Sequence, residues 1–158
     1  MKLQFKLTTL IILAVQSIAF AQTGSIPLKI YTDKINGFSI KYPSTWKSKG
    51  GKAAFMCGKK EGLENAEWLL LFSDVNNKER IDMLFNDRDL YKNSHVITKK
   101  ITINGLEGVH SIITTKGKPD EYLETIVIKT NTTWYYMMNN GIKNANFHLF
   151  YESFKLIK

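Results

Sequence analysis

The apolar positions of this chain change period several times, and each change marks an element. Gly37-Phe38-Ser39-Ile40-Lys41-Tyr42-Pro43 alternates, so Phe38, Ile40 and Tyr42 share one face of a strand. Pro43 ends that strand because proline has no N–H to give a ladder. Trp46 follows in Ser44-Thr45-Trp46 and is expected to fold back as a core plug. Residues 47–52 read as a Gly/Lys turn, 53–57 as a short strand and 58–65 as a loop. Glu67-Trp68-Leu69-Leu70-Leu71-Phe72 is apolar without alternation, the pattern of a strand covered on both faces. Asn76 with Glu79 resembles a capping box. Ile81, Leu84, Phe85 and Arg88 recur at i, i+3, i+4 and i+7, which predicts an amphipathic helix over about 77–91. Residues 95–103 and 106–115 are β-rich runs joined by Asn104-Gly105, a strong hairpin signal. Residues 116–120 read as a second turn, and 121–130 with 133–138 as a further hairpin around Asn131. Phe147, Phe150, Tyr151 and Phe154 recur at helical spacing and predict a terminal helix starting near Asn144.

Short strands, a helix, four strands in two hairpins and a last helix predict an α+β fold. Its form is an antiparallel β-sheet of about six to seven strands with helices on both faces, an α/β/α sandwich. The doubly apolar run at 67–72 is what asks for helices on both sides. The chain is 158 residues long, without an internal repeat, low-complexity tract or long linker, so 30–158 reads as a single, monomeric domain. An exposed lead-in at 22–29 precedes it.

Residues 1–21 read as a secretory signal peptide: Lys2 and Lys6 give the positive start, 7–20 the apolar stretch, and Ala19-Phe20-Ala21 a small-x-small site. The apolar stretch is about fourteen residues, against roughly 20 for a spanning helix. The expected product is a secreted or periplasmic protein cleaved near Ala21-Gln22, with no transmembrane segment in the mature chain. No Cys follows the cleavage site to carry a lipid anchor.

Asn36-Gly37-Phe38-Ser39-Ile40-Lys41-Tyr42-Pro43-Ser44-Thr45-Trp46, with Phe55 after a Gly/Lys turn, resembles the opening of PsbP-like proteins. The closing Phe150-Tyr151-Glu152-Ser153-Phe154-Lys155-Leu156 is similar to that family's terminal helix. The resemblance runs over 30–158, with its distinctive residues at the two ends. It implies a Mog/PsbP-type α/β/α sandwich and, for this chain, an exported bacterial branch of unassigned role. Both motifs are packing motifs. None of the photosystem members' metal-binding His or acidic residues falls on a particular position of this chain, so none is carried over.

Charge narrows the partners. The formal charge is +8, and 20 of the 22 basic residues are Lys, leaving only Arg80 and Arg88. Arginine grips phosphate with a planar fork, whereas lysine is a hydrated point charge. The balance therefore speaks against a nucleic-acid reader and for a solvated surface weakly attracted to anionic envelope material.

The chemistry-bearing residues are dispersed. His95, His110 and His148 lack a second His or Cys at zinc spacing, and His110 is the one most worth locating. Cys57, the only Cys, lies among apolar neighbours and reads as a buried thiol; pairing with a distant His would be its catalytic use. Asp120, Glu121 and Glu124 cluster near a turn as a weak calcium candidate without an EF-hand pattern. Met56-Cys57 and Met137-Met138 offer one sulfur per strand face, which suits core filling better than Cu(I). Trp134-Tyr135-Tyr136 is a candidate sugar-stacking platform, weighed against a core role under the last helix; Trp134, Tyr135 and His110 are the possible ligand or partner surface. No nucleophile turn or phosphate loop is present. These observations lead to an exported, non-enzymatic binding or accessory protein without a cofactor, serving a protein partner or small ligand. The alternatives are a small envelope hydrolase using dispersed carboxylates or Cys57 with a His, and a Lys-rich protein binding anionic lipid or polysaccharide.

Overall fold

A computed structural model describes residues 26–52, 54–59, 68–74, 92–141 and 143–157. Its strands are β1 (Leu28–Asp33), β2 (Phe38–Pro43), β3 (Lys47–Gly50), β4 (Ala54–Gly58), β5 (Trp68–Asp74), β6 (Ser94–Ile103), β7 (Leu106–Thr115), β8 (Lys118–Lys129), β9 (Trp134–Gly141) and β10 (Lys155–Leu156). One helix, α1 (Asn146–Glu152), precedes β10. Seven strands form an antiparallel sheet in the order β3-β4-β5-β9-β8-β7-β6, and three form a second sheet, β1-β2-β10.

The expected α+β sandwich with helices on both faces is overturned. Among the described residues the chain is nearly all-β, with the seven-residue α1 as its one helix. The physical reason is that a sheet does the covering: β1-β2-β10 lays Phe38, Ile40 and Tyr42 onto the large sheet, where they join Phe55, Leu71, Tyr135 and Met137 in one core. The run at 68–72 is not covered equally on both sides either. Leu69 and Leu71 are fully buried, while Phe72 on the opposite face is 39% exposed. The expected helix over 77–91 lies outside the described residues, as do the expected signal peptide and most of the loop at 58–65.

Local chemistry explains the strands that hold. Asn104 (φ 49°) and Gly105 (φ 82°) take the left-handed conformation that a two-residue hairpin needs, setting Ile103 opposite Leu106. Gly117 (φ 78°) turns β7 into β8 more tightly than the expected turn over 116–120, and the register shifts between Thr114 and Thr115. Two further readings change. Residues 47–50 form strand β3, paired with β4, so the reversal falls later. Strand β1 begins at Leu28, inside the expected lead-in, and its first three residues are exposed.

The C-terminal motif packs as expected but is helical for less of its length. Phe147, Phe150 and Tyr151 are buried from α1, and the chain then reverses so that Phe154 is also buried and β10 pairs with β2. Two clasps hold that reversal. Asn104 Nδ2 donates to the carbonyl oxygens of Glu152 (2.9 Å) and Phe154 (2.7 Å). Ser153 Oγ donates to the Phe150 carbonyl at 2.8 Å and accepts the Lys41 N–H at 2.7 Å. The aromatic rings fill the space between layers: Phe55 stacks on Tyr31 at 4.0 Å between centroids and on Phe150 at 6.3 Å.

Candidate functional site

The large sheet has two unlike faces, and register decides what each carries. On the inner face, toward β2 and α1, lie Phe55, Leu69, Leu71, Ile126, Ile128, Tyr135 and Met137. On the outer face one cross-strand row runs Lys100–Val109–Val127–Tyr136–Phe72–Ala54, over six strands. Toward one end of that row, Thr102 faces Glu107 and Lys129 faces Trp134.

The parts of these outer rows on β6 to β9 line an open groove of about 500 Å³, within the usual range for a small-ligand site. Its lining includes the side chains of Lys100, Thr102, Glu107, Val109, Val127, Lys129 and Trp134. Val109 and Val127 make an aliphatic floor. The Lys129 ammonium lies 4.9 Å from the Trp134 ring centroid, a cation–π contact that fixes both side chains. Four neighbouring strands supply these residues, so their spacing is set by ladder hydrogen bonds rather than by loops.

A second polar group lies on the inner face. His110, which is 5% exposed, faces Glu124 with Nε2 and Oε1 2.7 Å apart, and the Tyr122 hydroxyl donates to Glu124 Oε2 at 2.6 Å. Tyr151 from α1 packs against the His110 ring at 5.8 Å. Burial, reinforced by the Glu124 charge, raises the pKa of both Tyr122 and Tyr151, so each stays a neutral hydroxyl. Beside Glu124 on β9, Asn139 is fully buried and neither atom of its side-chain amide has a hydrogen-bond partner. His110 Nδ1 is likewise unpartnered.

The sequence candidates are distributed as follows. Trp134 and Tyr135 part company: Trp134 stands in the groove, while Tyr135 is a core residue whose hydroxyl donates to the Asn36 carbonyl at 2.7 Å. His110, read as possible surface, is interior for the same reason, its place on the inner face. Glu124 is engaged through both carboxylate oxygens. Asp120 and Glu121 fall on β8, and their side chains lie outside the described residues. Among the described residues no group of three or more His, Cys, Asp or Glu side chains is placed to hold a metal ion. Cys57 is fully buried, and burial pushes its thiol pKa up, away from the reactive thiolate. Strands β5, β9 and β8 separate it from His110, about 19 Å at the usual strand spacing. His148 pairs with Glu152 at 3.0 Å on the exposed side of α1, and His95 is exposed on β6.

Sequence reasoning missed Thr102, Glu107, Val109, Val127 and Lys129 as a group. The signal was present in the two hairpins. Asn104-Gly105 fixes Thr102 opposite Glu107 and Lys100 opposite Val109, and the turn at 130–133 fixes Lys129 opposite Trp134. The missing piece was the register between β7 and β8, which the irregularity at Thr114/Thr115 resets.

A large antiparallel sheet backed by a small one and a short C-terminal helix, with an aromatic interior between them, is a PsbP-like fold. The particular likeness is to the solution structure of cyanobacterial PsbP (CyanoP) from Synechocystis sp. PCC 6803, at 12% sequence identity and a TM-score of 0.57. It covers 86% of this chain and 96% of that one. A crystal structure from Bacteroides thetaiotaomicron aligns at 11% identity and a TM-score of 0.47, over 82% of this chain and 48% of its own length. No protein-family model and no curated protein matches the sequence.

Proposed function

We propose that this protein is an exported, non-enzymatic binding or accessory protein of the cell envelope that holds a small ligand in the outer-face groove. The observation that carries this reading is the groove itself: an aliphatic floor, an aromatic wall and charged groups of both signs, placed by four strands in fixed register. The PsbP-like fold agrees with it, and the signal-like residues 1–21 support export.

Among the described residues, the Cys57, His110 and Glu124 groups that a hydrolase could use are committed elsewhere. Cys57 is buried far from His110, and Glu124 spends both oxygens on His110 and Tyr122. A surface that works through lysine charge alone is the poorer fit too, because Lys99 and Lys100 are neighbours on β6 and point to opposite faces.

Nuclear magnetic resonance titration of the purified protein tests the reading. The compounds are acidic and neutral saccharides, amino acids, aromatic acids and anionic lipid vesicles. The expected result is a saturable shift of the Thr102, Val109, Val127 and Trp134 signals by at least one compound, which is recovered unchanged. Conversion of any compound, or shifts centred on His110 and Glu124, would overturn it.

A further inference from the structure

The groove's donors and acceptors restrict what can occupy it. Lys100 and Lys129 only donate, so they ask for acceptors, and the favourable ones are anionic. Glu107, when ionised, only accepts, so within a few ångströms the same ligand must also present hydroxyl or amino donors. Thr102 serves either role. Val109 and Val127 leave a flat aliphatic strip beside Trp134, suited to the C–H face of a ring.

The spacing adds a second restriction. Lys100 and Lys129 are two strands and one two-residue repeat apart, which separates their Cα atoms by about 12 Å. The Lys129 ammonium is held toward Trp134, at the far wall from Lys100. Two separated cations along an open groove call for two acidic positions on an extended ligand. A single compact anion between them would satisfy only one.

Resting on the groove as the ligand site, we infer that its ligand is an acidic oligosaccharide, a short chain of sugar rings in which carboxylates alternate with free hydroxyls. The carboxylates meet Lys100 and Lys129, ring hydroxyls meet Glu107 and Thr102, and ring faces lie on Val109, Val127 and the Trp134 edge. A fatty acid would leave Glu107 without a donor. A free amino acid, even an acidic one with two carboxylates, is too short to set an acidic group against each of two such separated ammonium groups.

The probe is tri-galacturonate, titrated calorimetrically into the protein at low salt, with galacturonate monomer and neutral maltotriose as controls. Tri-galacturonate is expected to bind at least about tenfold more tightly than either control, and added salt is expected to weaken it through screening. Lys100→Gln and Glu107→Gln should each weaken it about threefold to fivefold, the scale of an exposed polar contact. Trp134→Ala should weaken it further. Lys100 is exposed, so Lys100→Gln decides the matter even if the Trp134 variant fails to fold. Equal binding of maltotriose, or affinity unmoved by Lys100→Gln, would overturn the inference. Groove signals moved by an amino acid, aromatic acid or lipid and not by tri-galacturonate would sink the ligand class and leave the groove reading standing. Tri-galacturonate bound without shifts in the groove, or no tested compound reaching it, would sink both.

Discussion

The two faces of the seven-stranded sheet are built from the same strands and differ in what their alternate residues meet. The inner face is closed by a second sheet and α1, and it is filled with rings: Phe38, Phe55, Tyr135, Phe147, Phe150 and Phe154 belong to one cluster. The outer face carries a smaller cluster of Val127 and Tyr136, with Trp134 and Met138 against it, and leaves Phe72 and Val109 partly exposed. The packing that holds the fold together resides on the first face, and the groove proposed to bind a ligand on the second. The difference teaches that in a two-period element a one-residue step separates a core side chain from one lining the groove, as Tyr135 and Trp134 show.

The sharpest way to break the contrast is to remove an inner ring. Phe150→Ala deletes a fully buried ring stacked near Phe55 and Phe147, and it should cost about 3–5 kcal/mol in denaturant unfolding. A loss below 1 kcal/mol would mean that the inner face is not the load it is taken for. Glu124→Ala strands the His110 and Tyr122 groups it now satisfies, and a loss of about 2–3 kcal/mol is expected by the same measurement. Asn139 sharpens the comparison from the other direction. Its buried amide is unpartnered, so Asn139→Leu should raise stability by about 1–2 kcal/mol, and a destabilised variant would reveal a partner for that amide.

Asp33 closes the inner layer at its edge, and it makes that layer sensitive to acid. Burial pushes its carboxyl up, but hydrogen bonds from the Asn36 side chain, the Asn36 and Ile35 N–H groups and Tyr31 more than offset this and leave it below its ordinary value of 3.8. A depressed folded value means stability that is complete above 3.8 and disappears as pH falls through the folded value. Acid unfolding curves should therefore lose part of their slope below that pH in Asp33→Asn, and an unchanged slope would refute the assignment. The smallest effect belongs to the outer face: Lys100→Gln should leave stability within about 0.5 kcal/mol while changing ligand affinity.

Much of the inner face was legible in the sequence. Phe38, Ile40 and Tyr42 alternated, Trp46 read as a plug, Asn104-Gly105 marked its hairpin, and Phe147, Phe150 and Tyr151 marked a packed helix. The covering layer was misjudged because apolar periodicity reports that a face is covered without reporting whether a helix or a sheet covers it. The run at 68–72 misled for a related reason: Trp68, Leu70 and Phe72 face a partly open surface with apolar side chains, so alternation in burial left no alternation in polarity. The groove was hidden because its members are scattered from Lys100 to Trp134 in sequence and converge only once three strand registers are fixed. The buried His110–Glu124 pair needs the β7–β8 register as well, because sequence alone marks each residue without setting them side by side.

The pairing of β10 with β2 joins residues 155 and 39, and the Asn104 clasp ties the β6–β7 hairpin to the same closing segment. Contacts so far apart along the chain make acquiring this shape slow, on the order of milliseconds to seconds for such topologies. Hairpins β6–β7 and β8–β9 join neighbours in sequence, while the contact of Phe38 with Phe154 joins β2 to the closing segment. The closing segment therefore carries contacts that no local hairpin can supply, and it ties the edge of the small sheet to the turn of a hairpin in the large one.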